Sequence, residues 1–414
     1  MGDRVHEQYE AYPYPPRDPS DESKRLIEGS PSHLLEINHY IFAGRRDFSR
    51  PFRALVAGGG TGDGTIMLAQ HLADRQCPAE IVYLDLSGAA RAVAEARAAK
   101  RGLSNVRFQT GSILDLQNLR LGQFDYIDCC GVLHHLPDPA AGLALLAQSL
   151  SDEGGIGLMV YGALGRIGVY HLQEVLRAIG ENETDAARLD LAKRLLKQLP
   201  PTNWFVRNPS IADHLKVGDA GLYDLLLHSQ DRAYTIPELA ELIHGAGLEI
   251  TTFIEPWRYR PESYVNDGAL LKRLGQLDAI GGAHMAELIA GNHKTHVCYV
   301  VKRGRSARAV ARPDDATAVP ILRDGNGSEL ARGLKPGGAM TASINGVEAR
   351  FALPRLAGPI LARIDGKRGV QQIFADLAAA QPGRLEWPAF KAEFDRLYAV
   401  FNDANKLFLT FPRA

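Results

Sequence analysis

Between residues 53 and 161 the chain alternates short apolar runs with longer stretches of helical period. "RALVA" at 53–57 reads as a buried strand, and a glycine turn and a helix from about Asp63 follow it. "AEIVYLDLS" predicts a second strand, and "GAARAVAEARAAKRG" a helix that stops at Gly102. "NVRFQTG" is a third strand and "FDYIDCC" a fourth. "DPAAGLALLAQSL" is a helix, and "GGIGLMVYG" a fifth strand. Strand–helix alternation of this kind implies a parallel sheet with helices on both faces.

Residues 162–235 break the rhythm and read as a mostly helical insert with a "LPPTNW" break. "TIPELAELIHGAG" is a helix with Thr235 as N-cap and Pro237 in its first turn. "LEITTFIEP" and "THVCYVVKRG" predict two late strands, separated by further helices. Residues 304–317 form a polar, Ala/Pro-rich linker. Residues 318–414 form a separate small α+β module, with a hairpin around Asn345-Gly346, three helical stretches and a closing strand "KLFLTF". Ahead of the core, "YEAYPYPPRDP" is too proline-dense for helix or central strand. Residues 1–50 are then either a partly ordered tail or, with the helix "HLLEINHYIF", an arm docked as a lid over the core's ligand crevice.

At 414 residues the chain has room for two or three domains. A hydrophobic fraction of 45%, a charged fraction of 23% and a net charge of −1 describe an ordinary globular protein and give no bulk pull toward nucleic acid or anionic membrane. No apolar run is long enough to span a bilayer. Cys77, Cys129, Cys130 and Cys298 offer no disulfide framework and no CxxC pair, and "MGDRVHEQYEAYPYPP" is no secretory signal, so a reduced, cytoplasmic setting is expected.

"VAGGGTGDG" carries the chemistry. It follows a strand and opens a helix, the context of a nucleotide-type ligand. Gly58, Gly60 and Gly62 make a GxGxG pattern, but Asp63 stands where the NAD fingerprint needs glycine, and no Lys-Ser/Thr follows for a P-loop. An acid at the helix start also disfavours a phosphate there. Asp85 ends the second strand, where a carboxylate either accepts from a ribose diol or caps the next helix. Ser112 follows the third strand as an adenine contact or a turn residue.

These segments, with "FDYIDCCGVLHHLPDP", resemble the class I S-adenosylmethionine-dependent methyltransferases over residues 53–161 and the two late strands. The resemblance implies a Rossmann-like, mostly parallel seven-stranded sheet within 51–303. It also implies S-adenosyl-L-methionine as cofactor. Gly58, Gly59, Gly60, Gly62 and Asp63 would then face the cofactor's methionine part. Asp85 and Leu86 would hold the ribose and adenine, Ser112 and Ile113 would flank the adenine, and Cys130 with Gly131 would lie along the cofactor. Members usually carry an acid two residues before the first motif glycine, which helps fix the cofactor's amino end. Val56 stands there, so Asp63, a backbone carbonyl or the N-terminal segment would have to replace it.

Methyl transfer from a sulfonium is an in-line displacement in which alignment dominates. A base is needed only when the acceptor keeps its proton at neutral pH. His134, His135 and Tyr161 are the candidates near the methyl, with at most one of the paired histidines able to face the crevice. Adjacent strand residues point to opposite faces, so Cys129 and Cys130 cannot join in one metal site, and no metal is expected. Tyr12, Tyr14, Arg17 and His171 are candidate contacts for a small-molecule or peptide/protein acceptor. "LARIDGKRGVQQIFADL" resembles winged-helix peptide-binding modules of the PqqD type. A helical cap for stability or homodimerisation is the alternative, and the module shows no strong basic cluster for nucleic acid. The leading expectation is a methyltransferase. A non-catalytic cofactor sensor or scaffold acting through the C-terminal module is the alternative.

Overall fold

The computed structural model describes residues 2–344, 346–380 and 383–412. Seven strands form one sheet: β1 (Phe52–Ala57), β2 (Ala79–Asp85), β3 (Val106–Thr110), β4 (Phe124–Cys130), β5 (Leu150–Tyr161), β6 (Leu248–Phe253) and β7 (Thr295–Lys302). Their order is β3-β2-β1-β4-β5-β7-β6. The neighbouring pairs from β3 across to β5 are all parallel, and β7 runs antiparallel to both β5 and β6. This is the Rossmann-like sheet expected from the alternating pattern. The chain order reverses on either side of β1, so β1 and β4 flank the switch point where such sheets open a crevice.

Local chemistry sets the helix limits. Ser87 caps the helix Gly88–Arg101 by accepting from the Ala90 amide, and Gly102 ends it in the left-handed region. Asp138 caps Pro139–Gln148, and a Thr235/Glu238 capping box opens Ile236–Gly245. The insert folds into helices Val169–Gly180, Asp185–Leu196 and Gly218–Leu226 around its own apolar cluster, which includes Leu172, Leu176, Leu189 and Leu226.

The C-terminal part adds β8 (Val319–Leu322), β9 (Ala339–Ile344), β10 (Val347–Ala352) and β11 (Leu407–Thr410). Antiparallel pairs β9–β10 and β8–β11 form, and helices Val370–Ala380 and Trp387–Asp403 pack their apolar faces together. Asn345, at the tip of the expected hairpin, lies outside the described residues; the flanking Ile344 and Val347 pair as a hairpin requires.

Two expectations are corrected. The helix Leu34–Ile41 is no lid. It is buried beneath the sheet, with Leu34, Ile37, Tyr40 and Ile41 in the core, because its apolar residues cover more than one face. The 304–317 stretch is no free tether either. Ala309 and Ala311 are fully or almost fully buried, and the Ala43 and Ala311 amides bond across to the Ala309 and His39 carbonyls.

Glu36 ties these layers together. Its carboxylate is fully buried and accepts from Ser30 Oγ (2.7 Å), Tyr299 Oη on β7 (2.9 Å), Asn405 Nδ2 (2.9 Å) and the Arg323 guanidinium. Burial raises its pKa, and Arg323 with the other donors opposes that rise. Arg323→Ala would strand this charge. We expect a loss on the order of 3 kcal/mol, read as a lowered denaturation midpoint and as protease cleavage between residues 304 and 323.

Candidate active site

The carboxyl ends of β1, β2 and β4 open onto a cavity of about 710 Å³. The glycine loop forms its floor. At Gly58, φ is +80° and a Cβ would lie 2.3 Å from the Val132 side chain, so only glycine lets the loop lie flat there. Gly58, Gly59, Gly60, Asp63, Asp85, Leu86, Ser112, Ile113, Cys130 and Gly131 all line the cavity. Gly62 does not; it turns the chain into the helix that begins at Asp63.

Asp85 accepts from the Gly60 amide (2.7 Å) and the Ser87 amide (2.8 Å). It therefore fastens the glycine loop and still borders the cavity with lone pairs to spare. Burial raises its pKa, opposed by these amides. Ser112 accepts from the Leu114 amide (3.1 Å), a turn role, and lines the cavity as well. The strand alternation separates the cysteines: Cys129 is fully buried and Cys130 faces the cavity. Burial raises both thiol pKa values, which removes them as thiolates.

The N-terminal segment is the cavity's roof, and the expectation of no helix there is corrected at its start: Gly2–Ala11 is helical, and the prolines act only from Pro13 on. Tyr9, Tyr14 and Pro15 line the cavity. Thr61 Oγ1 donates to the Pro15 carbonyl (2.6 Å), Ser87 Oγ to the Tyr9 carbonyl (3.2 Å), and Glu10 accepts from the Gly88 and Ala89 amides at a helix N-terminus. Arg17 does not line the cavity: its guanidinium grips Asp63 through two nitrogens (2.9 and 2.6 Å). Asp63 also pairs with buried Arg97 (2.7 Å), which reaches Glu22, and Glu22 pairs with Arg101. Burial works against the Asp63 charge, and Arg17 and Arg97 more than offset it, leaving the pKa low. Asp63 is thus the arm's clasp, its charge already shared by two guanidiniums.

Tyr12 stacks on Tyr223 in the insert and His171 is exposed on its helix; neither lines the cavity. The histidine pair splits. His134 is enclosed without a hydrogen-bond partner among the described residues, and burial drives its pKa far down. His135 lines the cavity with Tyr161, and its Nδ1 lies 2.8 Å from the Gln230 carbonyl. A carbonyl only accepts, so Nδ1 carries the proton and Nε2 keeps its lone pair.

Sequence reasoning missed the partners around His135. Asp224 accepts from Tyr9 (3.4 Å) and Tyr161 (3.2 Å), and Tyr9 also contacts His228 Nε2 (3.2 Å). His135, Asp224 and His228 bring possible ligating atoms within 4.8 Å. Yet the Gln230 amide donates to His228 Nδ1 (3.1 Å), so neutral His228 is protonated at Nε2 and donates there. An aspartate and a histidine four apart in "DLLLH" were the available signal. Asp128, another cavity residue, was also missed, although an acid inside an apolar central strand is itself a signal.

Residues 55–156 match a family model described as a methyltransferase domain. An uncharacterized protein of a Synechococcus species is 34% identical over 264 residues, covering 61% of this chain and 60% of that protein. A ubiquinone biosynthesis O-methyltransferase of Acinetobacter baumannii is 29% identical over 94 residues, 23% of this chain and 38% of the relative. The chain thus spans less than two thirds of these relatives' lengths. The structure of PKMT2 from Rickettsia typhi in complex with AdoHcy superposes with a TM-score of 0.61 at 14% identity, covering 97% of this chain and 76% of that one, a likeness of fold. By this domain match over residues 55–156 and by this fold, the chain resembles the class I S-adenosylmethionine-dependent methyltransferases. That class takes S-adenosyl-L-methionine as its donor, and the crevice suits it: a glycine floor, a carboxylate at the end of β2 and a second, buried carboxylate on β4.

Arg17→Ala should loosen the roof. A partly buried two-nitrogen pair of this kind is worth about 1 kcal/mol, so amide hydrogen exchange over residues 9–17 is expected to rise about fivefold, with the difference shrinking in high salt.

Proposed function

We propose that this chain transfers a methyl group from S-adenosyl-L-methionine to a nitrogen or oxygen nucleophile that keeps its proton at neutral pH. The acceptor is a small molecule or one extended side chain of a peptide. The observation that carries this reading is the wall of the cavity, where His135 offers a free Nε2 beside Tyr161, Tyr9 and Asp224. The donor supplies a methyl on a positively charged sulfur, open to in-line attack.

The chain's own groups do the rest. The arm excludes water from above. The Gly60 amide and Asp85 keep the glycine loop and β2 together beneath the ribose position. Tyr9, Tyr161 and Asp224 form a hydrogen-bonding wall that orients the acceptor. His135 Nε2 takes the acceptor's proton, and its Nδ1–H remains on the Gln230 carbonyl, which steadies the imidazolium that forms. Because the arm lies along one side of the cavity, it narrows the approach for a bulky folded acceptor. This favours a small or slender one.

The full-length chain should be incubated with methyl-labelled donor and bacterial lysate separated into small-molecule and protein fractions. Label is expected in one of them above a boiled-enzyme control; label in neither counts against the transferase reading. With that acceptor, His135→Ala is expected to lower kcat by about 100-fold or more, while calorimetric affinity for S-adenosylhomocysteine holds. Equal loss of both would make His135 a structural residue only.

A further inference from the structure

We propose that Asp128 anchors the amino-acid end of the donor by pairing with its α-ammonium, a role the superfamily usually gives to an acid on β1. This rests on the donor reading above.

Val56 occupies the usual position of that acid. In the sheet register Val56 lies directly beside Asp128 on β4. The carboxylate has therefore moved one strand across while staying at the same height in the sheet. Asp128 lines the cavity and is only 3% exposed. Asp63, the other local acid, is committed to Arg17 and Arg97.

Its surroundings leave Asp128 short of positive charge. The buried acids among the described residues are Glu22, Glu36, Asp128, Asp224 and Glu287. Glu22 pairs with Arg97 and Arg101, Glu36 with Arg323, and Glu287 with His284 and His296. Asp224 has a phenol on each oxygen. Asp128 accepts from the Ser32 hydroxyl and the Cys130 backbone and makes no ion pair among the described residues. A carboxylate desolvated to this degree is stable as an anion only beside a cation. Burial accordingly pushes its pKa up to about 6.

Space for that cation is built in. Gly64 lies in the first turn of the helix after the glycine loop, and a Cβ there would stand 2.7 Å from Asp128 Oδ2. The missing side chain keeps one face of the carboxylate open. Asp85 and Asp128 sit on β2 and β4, on either side of β1, two strand spacings or roughly 10 Å apart. A nucleoside lying across β1 with its sugar at Asp85 therefore extends its amino-acid arm toward Asp128.

The test is calorimetry on Asp128→Asn, which keeps shape and removes charge. Two ligands are used: S-adenosylhomocysteine, and 5′-methylthioadenosine, which lacks the amino-acid arm. S-adenosylhomocysteine affinity is expected to fall about 10- to 100-fold, the worth of a charge-assisted hydrogen bond, with 5′-methylthioadenosine affinity unchanged. The ligand-free melting temperature should hold or rise, because an unpaired buried charge has gone. Gly64→Ala, which crowds the same face without touching the charge, should give the same selective loss and stands in if Asp128→Asn does not fold. Unchanged S-adenosylhomocysteine affinity overturns the proposal, and so does equal loss for both ligands. Wild-type protein that binds neither ligand overturns the donor reading itself.

Discussion

Carboxylates withdrawn from water govern this molecule, because each must find a proton, a cation or several donors. Glu36 finds Arg323, Asn405, Tyr299 and Ser30, drawn from the N-terminal segment, the sheet and the C-terminal part. Glu22 and Asp63 share Arg17, Arg97 and Arg101, which closes the arm over the glycine loop. The two networks solve the same problem at opposite ends of the arm segment, and between them they hold residues 17–36 against the body. Removing either partner of such a pair exposes the full cost of the orphaned charge, so the layers cannot drift apart by small steps.

This organisation makes the roof part of the site. Tyr9 and Tyr14 reach the cavity only because Glu10, Pro15 and Arg17 are fastened beside them. Tyr9 then meets Asp224 and His228, which the insert supplies. This wall of the cavity is thus assembled from the arm, the insert and the turn after β4. None of these elements would form it alone.

The sheet was legible in the sequence because its central strands are apolar on both faces and its helices begin and end on capping residues such as Ser87 and Gly102. The glycine floor was legible for a similar reason: its residues are neighbours in the chain. Contacts between distant segments were hidden. Arg17 looked free to meet an acceptor because nothing in its own segment names Asp63 as its partner, 46 residues on. The helix Leu34–Ile41 read as a lid because its apolar count was visible and the C-terminal part that covers it was not. Tyr12 and His171 were chosen by proximity in sequence to the arm and to β5. Packing turned one onto the insert and left the other in solvent.

The turn after β4 shows how backbone groups decide chemistry that side chains only suggest. His134 and His135 are adjacent and identical in type, yet one is sealed without a partner and the other faces the cavity. Gln230 then acts on two imidazoles at once. Its carbonyl takes the proton of His135 Nδ1, and its amide fills the lone pair of His228 Nδ1. The two stacked rings, 3.8 Å apart between centroids, are driven to opposite tautomers. One ring presents a lone pair at Nε2 and the other a proton. A single residue of the insert therefore sets the tautomers of both rings, through the two peptide units that flank it. Any movement of that loop would alter the two roles together.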